Sequence, residues 1–252
     1  EYVESEEGGS VDITKGILSK TWPDGKVHCR IRQTVETGRY GHSGPNMAQI
    51  PKSAEAVLAN VFEEKIPPIR SCFVPDPGWC FVDADWVGAE LFVMACLSDD
   101  VNMQSRLSDP GVDFHSETAL EMFQLDPMPT DWTKGTKAWI KELGESPKRT
   151  IAKTITFGIA YGRGAAAIQE EVYRQGITIT VEEAQEAIQK FKATYPQLAE
   201  WLLNQKALVA TQGYVSNALG RRRRFEKTND HEVLAGQERQ AMNMPIQGTV
   251  GD

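Results

Sequence analysis

The hydrophobic pattern of this chain changes period several times along its 252 residues. The first 25 residues are polar and aperiodic, which predicts irregular backbone. Residues 28–35 alternate apolar and polar, the period of a half-buried strand. The glycines and proline of TGRYGHSGPN then supply turn chemistry. Residues 54–64 predict a short helix ahead of Pro67 and Pro68. Residues 79–85 (WCFVDAD) predict an apolar strand that ends in carboxylates. The run 88–97 predicts a helix too apolar to face solvent.

Helical periodicity dominates after that point. A helix is predicted over 113–123, with Asp113 as N-cap and Glu117 in its first turn. Residues 126–146 are rich in Pro, Gly, Thr and Lys and predict a loop with one short helix. Further helices are predicted over 147–160 and over 165–174, the latter ended by Gly176. Thr180 and Glu183 have capping-box spacing and open a helix to about Thr194. Another covers 197–211, ended by Gly213. Residues 214–225 predict a hairpin turning near Asn217–Gly220, and 232–242 a last helix before Pro245. Strands, then a helical stretch, then strands again imply an α+β base with a helical lobe inserted in it.

Composition narrows the class. Hydrophobic residues make up 40 % of the chain, an ordinary share for a globular protein. No run of 18 uncharged apolar residues occurs, so no membrane span and no membrane partner is expected. Cys29, Cys72, Cys80 and Cys96 form no CxxC pair, which argues against a zinc site, and with no secretory signal disulfides are not expected. The expected setting is cytoplasmic rather than secreted. The chain starts at Glu1 and stops at Asp252 inside a predicted helix, as a fragment would. The net charge of −8 opposes nucleic-acid binding only on average. Basic residues cluster at Arg30, Arg32 and Arg39, at Lys148, Arg149 and Lys153, and at Arg221–Arg224, and a local basic path can hold phosphates.

The chemistry concentrates in KRTIAKTITFGIAYG. Arg149, Lys153, Phe157 and Tyr161 recur every four residues, so they lie along one face of a helix. Arg forks onto one phosphate and Lys acts as a point charge on another; an aromatic one turn on can stack on a base. That order suits a nucleoside triphosphate. Upstream, Asp85 closes an apolar strand, with Asp83 two residues before it. Paired carboxylates at a strand end can hold Mg²⁺, which takes oxygen ligands.

Seven segments, in order, resemble the family A (bacterial polymerase I-like) DNA polymerases. TGRYGHSGPNMAQIP resembles the family's TGRLSS-x-PNLQNIP, and IRSCF its IRxxF. VDADWVGAELFVMACLSDD resembles motif A, and DFHSETALEMF resembles DIHxxTAxxxF. RTIAKTITFGIAYG resembles motif B, RxxxKxxxFGxxYG. GYVSNALGRRRRF and ERQAMNMPIQGTVGD resemble GYVxTxxGRRR and ERxAxNxPIQGTAAD.

The resemblance implies a right-hand fold: a palm with an antiparallel sheet and an inserted helical fingers subdomain, the thumb missing. Residues 1–112 would begin the palm, 113–212 form the fingers and 213–252 return to the palm. By position, Asp85 resembles the ligand of two catalytic Mg²⁺ ions, helped by the backbone carbonyl of Trp86. Glu90 resembles the residue that closes the sugar pocket against a ribose 2′-OH. His115, Arg149 and Lys153 resemble the triphosphate contacts, Lys153 also being the general acid for pyrophosphate. Phe157 would pack on the incoming nucleotide and Tyr161 would guard the template side. Arg39, Asn46, Arg239, Asn243 and Gln247 resemble contacts to primer–template DNA. Deoxynucleoside triphosphates are the implied substrates, and a monomer the implied state.

The chain also departs from the pattern. Trp86, Val87, Gly88 and Phe92 stand where Tyr, Ser, Gln and Arg are common, and Ala48 replaces a Gln. These changes suggest a divergent, viral branch. Motif C, with the second metal-bridging aspartate, would follow Asp252, so these residues alone are expected to be inactive. Two rivals stand beside this reading: a single-subunit phage-type RNA polymerase, and a nucleic-acid-binding remnant without catalysis.

Overall fold

The structure is a computed structural model that describes residues 17–50 and 69–252. It divides into two compact units, Glu1–Trp86 and Val87–Asp252.

The first unit holds little regular structure among its described residues. Ile17–Lys20 forms a 3-10 turn. β1 (Arg30–Arg32) pairs antiparallel with β2 (Gly41–Ser43), Ile31 opposite His42. This strand is shorter than the alternation over 28–35 predicts. The helix predicted over 54–64 lies outside the described residues.

The strand predicted over 79–85 does not form. Its apolar pattern is sound, but a strand exists only through the ladder of a neighbour. Among the described residues no neighbouring strand pairs with it, and Trp79, Phe81 and Val82 remain 68–87 % exposed.

The second unit is a helical assembly with one hairpin. α1 (Ala89–Ser98) and α2 (Val101–Ser108) are followed by α3 (Phe114–Met122), α4 (Thr136–Glu142) and α5 (Ser146–Ala160). Then come α6 (Ala165–Arg174), α7 (Val181–Thr194) and α8 (Pro196–Thr211). β3 (Tyr214–Ser216) and β4 (Arg222–Arg224) pair antiparallel, and α9 (His231–Gly251) closes the chain. The fold is thus α+β and mostly helical. Its main core gathers Met94, Met103, Phe114, Ile140, Ile155, Ile168, Phe191, Tyr195 and Leu198. Val209, Val215, Ala241 and Met244 form a smaller one under the hairpin.

Local signals account for most boundaries. Asp113 caps α3 by accepting from Ser116 N, and Thr180 with Glu183 completes the capping box of α7. Pro147 sits in the first turn of α5, where its missing N–H costs nothing. That helix ends in a Schellman pair: Gly162 N donates to Ile159 O and Arg163 N to Gly158 O, at 2.9 and 2.8 Å. The motif needs a left-handed residue, and Gly162 supplies it with φ 66°.

Two boundaries escape the sequence reading. α2 was not predicted; buried Asp100 starts it by accepting from Asn102 N and Met103 N. α9 was predicted to stop before Pro245 but runs through it to Gly251. Proline deletes one helical hydrogen bond, yet Met244, Pro245, Ile246 and Gly248 are all buried, and that packing keeps the helix going.

Candidate nucleotide-binding site

Helix α5 turns Ile151, Ala152, Ile155 and Ile159 into the core. The stripe predicted at steps of four occupies its other side: Lys153 is exposed, and Arg149, Phe157 and Tyr161 are partly so.

Arg149 is held tightly. Its Nε and Nη2 donate to Asp113 Oδ2 and Oδ1 at 2.8 and 2.9 Å, and Nε also reaches Ser116 Oγ at 3.2 Å. Asp113 Oδ2 accepts from Ser116 Oγ as well, at 2.7 Å. Burial pushes the Asp113 carboxyl up, but the hydrogen bonds and charge of Arg149, with the bonds from Ser116, outweigh it and hold the group at about 2.

His115 follows on α3 and is buried, its ring 5.7 Å from that of Phe157. Burial drives its pKa down to about 4; the Asp113 charge opposes, and the Arg149 and Lys153 charges add to the fall. The imidazole is therefore neutral at pH 7. Its Nδ1 has no hydrogen-bond partner among the described residues, an orphan of the sort that buried sites rarely leave without a ligand or water.

A second cluster sits at the C-terminal end of α5. The Tyr161 hydroxyl donates to Glu90 Oε2 at 2.7 Å, and Gln247 Nε2 donates to the same hydroxyl at 3.3 Å. Gly162 brings α9 against this end: a Cβ there would lie 2.5 Å from Met242 Cε and 2.7 Å from Arg239 Cγ. Arg239, Asn243 and Gln247 therefore ride on a helix seated against the end of α5. A cavity of about 260 Å³ opens beside the stripe, lined by Lys153, Phe157, Tyr161, Arg163, Glu171 and Gln175 among others.

The remaining candidates belong to the first unit. Arg39 precedes β2 and Asn46 precedes a 3-10 turn at Met47–Gln49. Asp85 and Trp86 end that unit, and both are exposed. The donor chemistry fits Mg²⁺, since Asp83, Asp85 and the Trp86 carbonyl all offer hard oxygens. The donor count alone does not fill an octahedron: among the described residues no three His, Cys, Asp or Glu side chains converge. Water and phosphate oxygens are the usual remainder of such a shell.

Residues 10–252 match the sequence model of DNA polymerase family A. The chain belongs to DNA polymerase family A. It is 34 % identical over 232 residues to the thermostable DNA polymerase I of Thermus filiformis, covering 90 % of this chain and 24 % of that protein. DNA polymerase I of Geobacillus stearothermophilus is 31 % identical over 243 residues, covering 94 % and 24 %. This family A chain thus spans about a quarter of the length of the curated relatives it matches. Among solved structures it resembles the POL domain of Pol1 from M. smegmatis, in complex with DNA primer-template and dNTP. That match has a TM-score of 0.70 and 26 % identity, and covers 93 % of this chain and 37 % of that one.

Within this family A chain, the departures in motif A have local explanations in part. Gly88 stands at φ 68° before α1, a backbone that glycine enters without strain. Phe92 is 47 % exposed on α1; nothing in the structure explains why an aromatic stands there. The arginine run is partly spent inside the protein. Arg221 pairs with Asp252, Arg223 donates to Gln240 Oε1 at 2.7 Å, and Arg222 lies over the Tyr214 ring. Sequence reasoning missed Asp113 and Ser116 as partners of Arg149, and Arg163, Glu171 and Gln175 as cavity walls. Asp113 was read only as a helix cap, and 36 residues separate it from Arg149. Among these signals, a carboxylate capping a helix next to His115 was the one available.

Proposed function

We propose that this chain is the palm-and-fingers part of a DNA-directed DNA polymerase, which adds deoxynucleotides to a primer 3′-OH and releases pyrophosphate. The palm would take residues 1–112 and 213–252 and the fingers 113–212. One observation carries the reading: the α5 stripe joins Arg149 and Lys153 to a neutral, unpartnered His115 at one end, and Tyr161 to Glu90 at the other. The candidate phosphate-binding groups thus lie at one end of the α5 stripe and the Glu90 carboxylate, brought in from α1, at the other, with Phe157 between them on α5. The relative from M. smegmatis was solved with primer-template DNA and dNTP, which supports the same partners here.

In this reading Arg149, Lys153 and the His115 ring N–H bind the triphosphate, and Lys153 gives a proton to the departing pyrophosphate. Phe157 stacks on the incoming base and sugar. Glu90, held by the Tyr161 hydroxyl, fills the space of a ribose 2′-OH and discriminates against ribonucleotides. Arg39, Asn46, Arg239, Asn243 and Gln247 contact the duplex; acceptors common to all correct pairs line its minor groove. Asp85 and the Trp86 carbonyl would hold Mg²⁺, which when bound as a pair supplies Lewis acidity for the primer hydroxyl and charge neutralisation for the leaving group.

The test is primer extension by an enzyme of the relatives' full length that carries this chain. Extension with dNTP and Mg²⁺, lost in Asp85→Ala and opened to ribonucleotides in Glu90→Ala, is the expected result. Equal use of ribonucleotides and deoxynucleotides by the unaltered enzyme would favour an RNA polymerase. No extension under any condition would end the proposal.

A further inference from the structure

Arg149 has two edges. The Nε–Nη2 edge is occupied by the Asp113 carboxylate. A guanidinium carries five N–H groups in a rigid fork, so the Nη1 side is left with no partner among the described residues. Asp113 is itself fixed from three directions. Ser116 N and Oγ donate to its carboxylate at 3.0 and 2.7 Å. Its own backbone N donates to Thr136 Oγ1 at 2.8 Å. Thr136 is fully buried at the start of α4.

We infer that Asp113 is a positioning residue for the triphosphate: backed by Ser116 and Thr136, it clamps one edge of Arg149 so that the other is presented, ready-oriented, to phosphate. The inference deepens the proposed function and rests on it. A free arginine has many rotamers to lose when it binds, and a clamped one has few. Two phosphate oxygens can take the exposed edge in the bidentate manner that guanidinium favours. The carboxylate also has an opposing effect, since its negative charge lies near the phosphates. Paired to Arg149 through both oxygens, that charge is largely compensated, and orientation is the effect that remains.

The test is titration of dATP, inorganic tripolyphosphate and 2′-deoxyadenosine onto the protein. Asp113→Asn keeps a good N-cap and the volume but loses half of the clamp; Asp113→Ser keeps the cap and cannot reach Arg149. Both are expected to weaken dATP and tripolyphosphate about tenfold and leave deoxyadenosine unchanged, a selectivity that lost folding would not produce. In Arg149→Ala, adding Asp113→Asn should weaken tripolyphosphate no further. Unchanged or tighter tripolyphosphate binding in both Asp113 variants would overturn the inference, the tighter case marking Asp113 as a competitor of phosphate. Arg149→Ala separates the two failures. If it too leaves tripolyphosphate binding unaltered, the triphosphate reading of α5 itself is wrong; if it alone weakens binding, only the role of Asp113 is.

Discussion

Replacing Asp100 by alanine should cost this protein about 3 kcal/mol of stability, more than most single substitutions. Asp100 is completely buried between two helix N-termini. Its Oδ1 accepts from Asn102 N and Met103 N of α2 at 3.1 and 3.0 Å. Its Oδ2 accepts from Leu198 N of α8 at 3.1 Å, and α8 has no side-chain cap of its own from Tyr195. One carboxylate therefore caps two helices that lie almost a hundred residues apart in the chain. Losing one cap costs about 1 kcal/mol, and each buried donor left without a partner about 1–3. The stranded Met103 and Leu198 donors are those two caps counted once, at about 1.5 kcal/mol each in this buried setting, which gives a total near 3 kcal/mol. Asparagine keeps one accepting oxygen but turns an N–H toward one of the donors, so about half of the loss should remain. Urea unfolding followed by far-ultraviolet circular dichroism measures both, with the slope against urea unchanged. A loss below about 1 kcal/mol in Asp100→Ala, or equal losses for Ala and Asn, would refute the two-helix account.

Two further outcomes follow from the site. Gly162→Ala forces a Cβ to 2.5 Å from Met242 Cε at a backbone φ of 66°; left-handed strain and overpacking together should destabilise by roughly 2–4 kcal/mol, read as a fall in urea midpoint. His115 stays neutral in the fold down to about 4 but takes up a proton from 6.5 downward when unfolded. The unfolded state thus binds more protons between those values, so stability is full above 6.5 and falls as pH drops toward 4, by about 3 kcal/mol in all. Asp113 adds to the loss only lower, from 3.8 down to about 2. His115→Gln should flatten the upper part of the curve and leave the lower; an unchanged slope between pH 6.5 and 4 would show that His115 is not the group responsible.

What could be read from the sequence was mostly what is local. Thr180 with Glu183, Asp113 as the N-cap of α3, and the glycines after α6 and α8 act within one turn of the chain, so spacing alone reveals them. The stripe Arg149–Lys153–Phe157–Tyr161 was legible because helical period is a property of the backbone, not of its surroundings. What was not legible depended on partners far along the chain. Asp100 reaches Leu198 and Asp113 reaches Arg149, and neither separation leaves a mark in local pattern. The 79–85 segment shows the converse: its residues prefer a strand, but no ladder is offered to them among the described residues. Pro245 was read as a stop because its local cost is known, whereas the burial that overrides it is a tertiary fact.

That uninterrupted passage through Pro245 has a geometric consequence. At 1.5 Å per residue, Arg239, Asn243 and Gln247 mark off about 12 Å along a single rigid rod. For a duplex lying alongside, this corresponds to roughly three to four base-pair rungs of 3.4 Å. A helix broken at residue 245 would cut Gln247 loose from the other two. Kept whole, the rod ties its last mark to the Tyr161 hydroxyl and through it to Glu90, so under the proposed function the duplex contacts on α9 and the sugar-side carboxylate on α1 are coupled through side-chain hydrogen bonds at the end of α5.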